Sequence, residues 1–242
     1  MNATNKMKLL VSPVDLREAL LVARGGADIL DLKNVNEGSL GANFPWVLAG
    51  IVRRLRRYPV EFSAAIGDLD FKPGTAALAA YAAASIGADY VKAGLYGVRT
   101  EARAFELASA VVKGVRSAAP RALPVIAGYA DWRRFGGLAP WPLVRAAKRA
   151  GAAAVMLDTA LKDGRSLFDN MTRPELARFL RLARAAGLKT ALAGSVGVRM
   201  LPVLRGLGPD IVGLRGAVCF GSDRSRSVSA ARLASVREAF GG

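Results

Sequence analysis

The chain has 242 residues, with 35 Lys and Arg against 19 Asp and Glu, a formal charge of +16 and an apolar fraction of 52%. It has no histidine and one cysteine, Cys219. Ser-His-Asp and Cys-His catalysis are therefore excluded, as are a disulfide framework and a cysteine-cluster metal site.

In chain order, Lys8 to Ser12 reads as a first strand ended by Pro13, and Asp15 to Arg24 as a helix closed by Gly25 and Gly26. Asp28 to Lys33 is the second strand, followed by a loop rich in Asn, Gly and Ser. A helix over Pro45 to Tyr58 starts on proline, and Leu48, Ile51, Val52 and Leu55 fall on one face. Strand three is Val60 to Ile66, ended by Gly67 and Asp68, and a small-residue helix runs from Gly74 to Ile86. Strand four is Asp89 to Ala93, and a long helix over Thr100 to Ala118 carries a capping threonine. Strand five is Leu123 to Gly128, then a loop over Tyr129 to Gly137 and a helix over Trp141 to Ala150. Strand six is Ala153 to Asp158, with a loop over Thr159 to Met171 and a helix over Thr172 to Ala186. Strand seven is Lys189 to Ala193, with a short helix over Val198 to Leu207; strand eight is Asp210 to Leu214, and the last helix runs from Ser227 to Phe240.

Eight largely apolar strands in strict alternation with helices predict a single-domain (β/α)₈ TIM-like barrel over residues 1–242. Barrels of that type run about 250 residues as one domain, and an open sheet usually has about five or six strands. The longest apolar run, Ala76 to Ile86, falls far short of the roughly 20 residues that cross a bilayer. Met1 to Lys8 shows no signal peptide, so the expected location is the cytoplasm, with no membrane partner. The arginines are scattered along helices (Arg53, Arg54, Arg145, Arg149, Arg178, Arg181) without interleaved aromatics, which argues for solvated faces rather than a nucleic-acid partner. The charge favours small anions. Self-association into a homo-oligomer is left open.

In such a barrel, chemistry gathers at the C-terminal ends of the strands. There the chain places Asp31 and Lys33 on strand two, two residues apart and therefore on one face. Strand four supplies Lys92, and strand six supplies Asp158 with Lys162 four residues on. Without histidine, acid–base work falls to such groups. A buried lysine beside another ammonium loses proton affinity and becomes a nucleophile towards carbonyls. The alternative for each lysine is a plain ion pair with a nearby carboxylate. The turns after strands seven and eight hold Gly194, Ser195, Gly213, Arg215 and Gly216. Barrels often bind phosphate there through backbone N–H groups, and an arginine could add a bidentate contact. Tight turns without a ligand are the alternative.

Several segments resemble one family. They are Leu9 to Pro13, Gly25 to Ile29, Asp31-Leu32-Lys33-Asn34, Glu37 to Pro45 (EGSLGANFP), Val91 to Leu95, Leu157 to Thr159 and Lys162 to Gly164. With these the sequence resembles the (5-formylfuran-3-yl)methyl phosphate synthases, also called 4-(hydroxymethyl)-2-furancarboxaldehyde-phosphate synthases, of methanofuran biosynthesis. The resemblance implies a TIM-like barrel that joins two molecules of glyceraldehyde 3-phosphate through a Schiff base, with loss of phosphate and water. It implies Lys33 as the Schiff-base lysine and Lys92 as the proton acceptor, with Asp31, Asp158 and Lys162 in support. No metal and no organic cofactor are expected, and the partner is a small phosphorylated substrate. The readings left beside it are another Schiff-base aldolase-like lyase, and a non-catalytic barrel that binds anions.

Overall fold

The computed structural model describes residues 7–241; the first six residues of the stretch read above as lacking a signal peptide lie outside them. Strands β1 (Lys8–Val11), β2 (Ile29–Leu32), β3 (Glu61–Asp68), β4 (Tyr90–Gly94), β5 (Leu123–Tyr129), β6 (Ala154–Asp158), β7 (Lys189–Leu192) and β8 (Ile211–Leu214) pair in sequence order. All pairs are parallel, and β1 closes on β8 with Lys8 opposite Ile211 and Val11 opposite Leu214. This is the closed (β/α)₈ barrel that the alternation predicts.

The outer ring consists of α1 (Leu16–Arg24), α2 (Pro45–Leu55), α3 (Pro73–Ile86), α4 (Glu101–Ala118), α5 (Pro140–Ala150), a single turn α6 (Leu167–Asn170), α7 (Arg173–Ala185), α8 (Leu201–Leu207) and α9 (Ala230–Gly241). Local chemistry sets many of the boundaries. Asp15 caps α1 by accepting from Glu18 N, and Thr172 with Glu175 forms a reciprocal capping box at α7. Four differences from the sequence reading have local causes. Helix α2 stops at Leu55, where Arg56 caps it, short of Tyr58. The loop after β6 contains α6, nucleated by a Ser166–Asp169 capping box. The helix expected from Val198 begins as a 3₁₀ turn, and α8 proper starts at Leu201 with Pro202 in its first turn. The last helix starts at Ala230, because Val228 is held in an antiparallel bridge to Cys219. Cys219 is fully buried, as expected of a core thiol.

The period-two geometry of the strands sorts their side chains into two sets. Leu30, Leu32, Val91, Ala93, Val155 and Leu157 face the helices and join the large outer core. Ile29, Tyr90, Ala154 and Met156 face inward and form the barrel's own core with Leu10, Val125 and Ile211. Continuing that alternation upward places Asp31, Lys33, Lys92 and Asp158 inside the barrel. The even strands β2, β4 and β6 thus supply its charged layer, as alternate strands do in such barrels. The odd strands contribute small residues at this level, Ala127, Ala191 and Ala193, which leave room for long side chains.

Candidate active site

The five charged residues read from the strand ends converge on one point. Lys92 Nζ lies 2.5 Å from Asp31 Oδ1. Lys162 Nζ lies 2.9 Å from Asp158 Oδ1 and also donates to Thr159 Oγ1 at 3.1 Å. Lys33 Nζ sits between the two pairs, 3.8 Å from Asp31 Oδ2 and 3.9 Å from Asp158 Oδ2. Its hydrogen bond goes to the backbone carbonyl of Ser39, at 2.9 Å. Ser12, at the end of β1, donates its hydroxyl to Asp31 Oδ2 at 3.0 Å.

Burial sets the protonation pattern. It would by itself push the Asp31 carboxyl up, but the charges of Lys92 and Lys33 outweigh it and hold Asp31 below the usual carboxylate range. The same contest leaves Asp158 well below that range, because burial is overcome by Lys162, Lys33 and the Thr159 N–H. Burial pushes the Lys92 amine down; Asp31 opposes this and the charge of Lys33 adds to it. Lys162 is lowered in the same way, by burial first, against Asp158 and with Lys33. The site therefore holds two firm carboxylates and two amines that give up a proton more easily than ordinary lysines. Lys33 is the third amine, and both carboxylates are in closer contact with another lysine.

Above this cluster opens a cavity of about 770 Å³, with Lys33, Lys162, Asp31 and Asp158 in its wall. Lys92 lies beneath it, 2% exposed. The cavity is also lined by Gly194 and Ser195 after β7, by Gly213, which lies within β8 rather than in the turn expected from the sequence, and by Gly216 after β8. Gly194 and Ser195 both have positive φ, +108° and +48°. A side chain at Gly194 would place its Cβ 2.9 Å from Thr159 N, so this close approach requires glycine. Among the described residues, the N–H groups of Ser195, Val196 and Gly197 donate to no acceptor in the chain. Successive free N–H groups in such a turn make an anion-binding concavity.

Arg215 is used differently from the sequence expectation. Nε donates to Arg224 O at 3.1 Å, Nη2 to Arg226 O at 3.0 Å, and Nη1 to Ser12 O at 2.8 Å and to Glu18 Oε2 at 2.5 Å. Nη2 also reaches Glu18 Oε1 at 3.4 Å. The guanidinium is committed to the chain and ties the loop after β8 to β1 and α1, so it has no bidentate face left for phosphate. The cavity wall also includes Arg199, in the 3₁₀ turn from Val198, and Arg224, in the loop after β8; sequence reasoning missed both because neither sits in a distinguishing pattern.

Sequence reasoning also missed the support behind the EGSLG loop. Asp68 Oδ2 accepts from Ser39 N at 2.7 Å and from Leu40 N at 3.1 Å, and Asp68 Oδ1 accepts from the Tyr129 hydroxyl. The glycines of the family-like motifs fit around this knot. A Cβ at Gly38 would lie 2.3 Å from Asp68 Oδ2, one at Gly41 2.3 Å from Asn34 O, and one at Gly94 2.2 Å from the Tyr129 oxygen.

A family model described as 4-HFC-P synthase matches residues 9–237. The chain belongs to the 4-HFC-P synthase family. Curated members called (5-formylfuran-3-yl)methyl phosphate synthase resemble it closely. The Archaeoglobus fulgidus protein is 47% identical over 98% of this chain and 100% of its own length. The Methanothermobacter thermautotrophicus protein is 50% identical over 90% of this chain and 92% of its own. This 4-HFC-P synthase family member is thus an enzyme of the synthase type. Among solved structures, KGPDC from Streptococcus mutans superposes with a TM-score of 0.67 at 14% identity, over 97% of each chain. The 3-hexulose-6-phosphate synthase of Salmonella typhimurium gives 0.63 at 20% identity, over 95% of this chain and 98% of that one. These likenesses concern the barrel alone. Among the described residues of this family member, no helix is long and apolar enough to cross a membrane.

Proposed function

We propose that the chain condenses two molecules of glyceraldehyde 3-phosphate into (5-formylfuran-3-yl)methyl phosphate through a Schiff base on Lys33, as a step towards a methanofuran-type carrier. The atoms balance: two triose phosphates equal the product plus one phosphate and two waters. The observation that carries the reading is the position of Lys33, an amine in the cavity wall whose two carboxylate neighbours are in closer contact with other lysines. It is the amine freest to leave its contacts and reach a carbonyl.

Lys33 Nζ attacks the carbonyl carbon of a triose phosphate, and water leaves to give an iminium. The iminium acidifies the adjacent C–H. Lys92 takes that proton, with Asp31 lying between the two amines, and an enamine results. The enamine carbon adds to the carbonyl carbon of a second triose phosphate. Loss of one phosphate and of water, with ring closure and hydrolysis of the iminium, completes the furan aldehyde. Asp158 and Lys162 exchange protons with the departing oxygens. The phosphate that is retained sits on the N–H groups of the Ser195–Gly197 turn, beside Gly213 and Gly216. The chemistry calls for no metal and no organic cofactor.

The test is incubation with glyceraldehyde 3-phosphate and cyanoborohydride, read by mass spectrometry of the peptides, with furan absorbance followed in parallel. A reduced adduct on the peptide containing Lys33 is expected. Furan product without any adduct at Lys33 would remove the covalent step.

A further inference from the structure

Lys33 Nζ donates to the carbonyl of Ser39. That carbonyl belongs to the Ser39–Leu40 peptide unit, which is planar and trans, so its N–H points the opposite way. On that opposite side Leu40 N meets Asp68 Oδ2 at 3.1 Å, and Ser39 N meets the same oxygen at 2.7 Å. One carboxylate oxygen therefore fixes the rotation of the peptide plane whose carbonyl faces Lys33. A flip of this plane would carry the acceptor away from the amine.

The carboxylate is itself held. Strict alternation along β3 would turn Asp68 towards the helices, since Ser63 and Ala65 are the inward positions. A register shift between Ala65 and Asp68, with Gly67 at φ +122°, re-aims it into the barrel mouth. There the Tyr129 hydroxyl donates to Oδ1. Tyr129 is 2% exposed and stacks edge-on against Tyr96 and Phe135. Burial, reinforced by the charge of Asp68, pushes its phenol well above the ordinary range, so it remains a donor. Each partner of Asp68 is a neutral donor, and such bonds to a charged acceptor are the stronger kind. Neither Asp68 nor Tyr129 lies in the wall of the reaction cavity.

We infer that Asp68 and Tyr129 are positioning residues for the reactive amine: they lock the Ser39–Leu40 peptide so that its carbonyl holds Lys33 Nζ between Asp31 and Asp158. The inference rests on the Schiff-base reading of Lys33 and predicts a defect in bond formation rather than in substrate binding, because the hydrogen bonds of Asp68 go to Ser39, Leu40 and Tyr129 and none goes to the turn after β7.

The test compares wild type, Asp68→Ala, Asp68→Asn and Tyr129→Phe. Loss of one hydrogen bond to a charged group corresponds to about tenfold in rate. Trapping of the triose phosphate adduct on Lys33 should slow by at least about that factor in Asp68→Ala, which removes three such bonds, and in the same direction by less in Tyr129→Phe, which removes one at a step from the peptide. Asp68→Asn should recover most of the rate, because its carbonyl oxygen can still accept from Ser39 and Leu40 while its amide donates to the Tyr129 oxygen. KM for the triose phosphate should stay within about twofold while kcat falls. Wild-type trapping in Asp68→Ala, or a raised KM with unchanged kcat, would overturn the inference. If Asp68→Ala does not fold, Tyr129→Phe decides on the same readout. If wild type itself forms no adduct, the Schiff-base reading fails, and the positioning role is then judged by competitive acetylation with acetic anhydride, Lys33 against the exposed Lys113. A ratio changed by about threefold or more in Asp68→Ala and restored in Asp68→Asn sustains the role; an unchanged ratio overturns it.

Discussion

Asp31→Asn isolates the electrostatics of the site, because the amide keeps the carboxylate's shape and removes only its charge. Asp31 is fully buried, and its loss leaves Lys92 Nζ, 2.5 Å away, without its nearest counter-charge, with only the more distant Asp158 still favouring the charged amine. Removing one partner of a buried pair costs about 3–5 kcal/mol. Lys92 has one escape, which is to fold without its proton. At pH 7 that route costs at most about 4.6 kcal/mol, from about 1.36 kcal/mol per unit over the roughly 3.4 units separating pH 7 from the ordinary lysine value. The two figures agree, and for a chain of this length they correspond to a fall in Tm of about 6–20 °C.

The pH dependence gives the sharper check. In the variant, Lys92 is neutral when folded and protonated when unfolded, so the unfolded state binds the extra proton. Stability of the variant then rises with pH, approaching about 1.36 kcal/mol per unit through pH 6 to 9. The stability that Asp31 itself adds through its lowered carboxyl is present above about pH 4 and lost only as pH falls below that, so it is constant in this window. Wild-type Lys92 is also lowered, but less, because Asp31 opposes burial. Urea denaturation followed by circular dichroism at pH 6, 7, 8 and 9 should therefore show a deficit in the variant that narrows as pH rises. A deficit below about 1 kcal/mol, or one that does not vary with pH, would refute the argument that Lys92 is held charged by Asp31.

Other outcomes follow from the same geometry. If Lys92 accepts the proton, kcat/KM should rise with pH as this amine deprotonates, with a midpoint below the ordinary lysine value of about 10.4 because burial lowers it; a midpoint at or above that value counts against the assignment. Gly94→Ala should destabilise the fold by about 1–3 kcal/mol and lower activity, since its Cβ would press on the Tyr129 oxygen and on Leu40 Cδ1 at 2.2 and 2.9 Å; a variant of wild-type stability would show that the knot yields freely. Arg215→Met should cost about 3–5 kcal/mol by stranding the buried Glu18, and in whatever folds KM for triose phosphate should change little. A large rise in KM with intact stability would restore Arg215 to the phosphate site.

The fold was legible because it follows from local periodicity. Apolar strands alternating with capped amphipathic helices have few other ways to bury both faces of a strand, and the barrel closes in sequence order. The charged layer was legible for a related reason. Period-two alternation from Ile29 forces Asp31 and Lys33 inward once Ile29 is inside, and the same count along β4 and β6 reaches Lys92 and Asp158. Which lysine pairs with which carboxylate depends on distances across the barrel, and those do not exist until it closes. The same holds for Arg215, whose position after β8 suggested an anion site, while Ser12 and Glu18, some 200 positions away in the chain, take up its guanidinium. Asp68 was visible as a carboxylate at the end of strand three, but what it would hold was not. A bulge turned it inward, a tyrosine from β5 met it, and the peptide of a loop from β2 settled on it. Alternation and composition determine which side chains enter the barrel. Their partners are decided by through-space contacts among strands far apart in sequence, and these the linear chain does not encode locally.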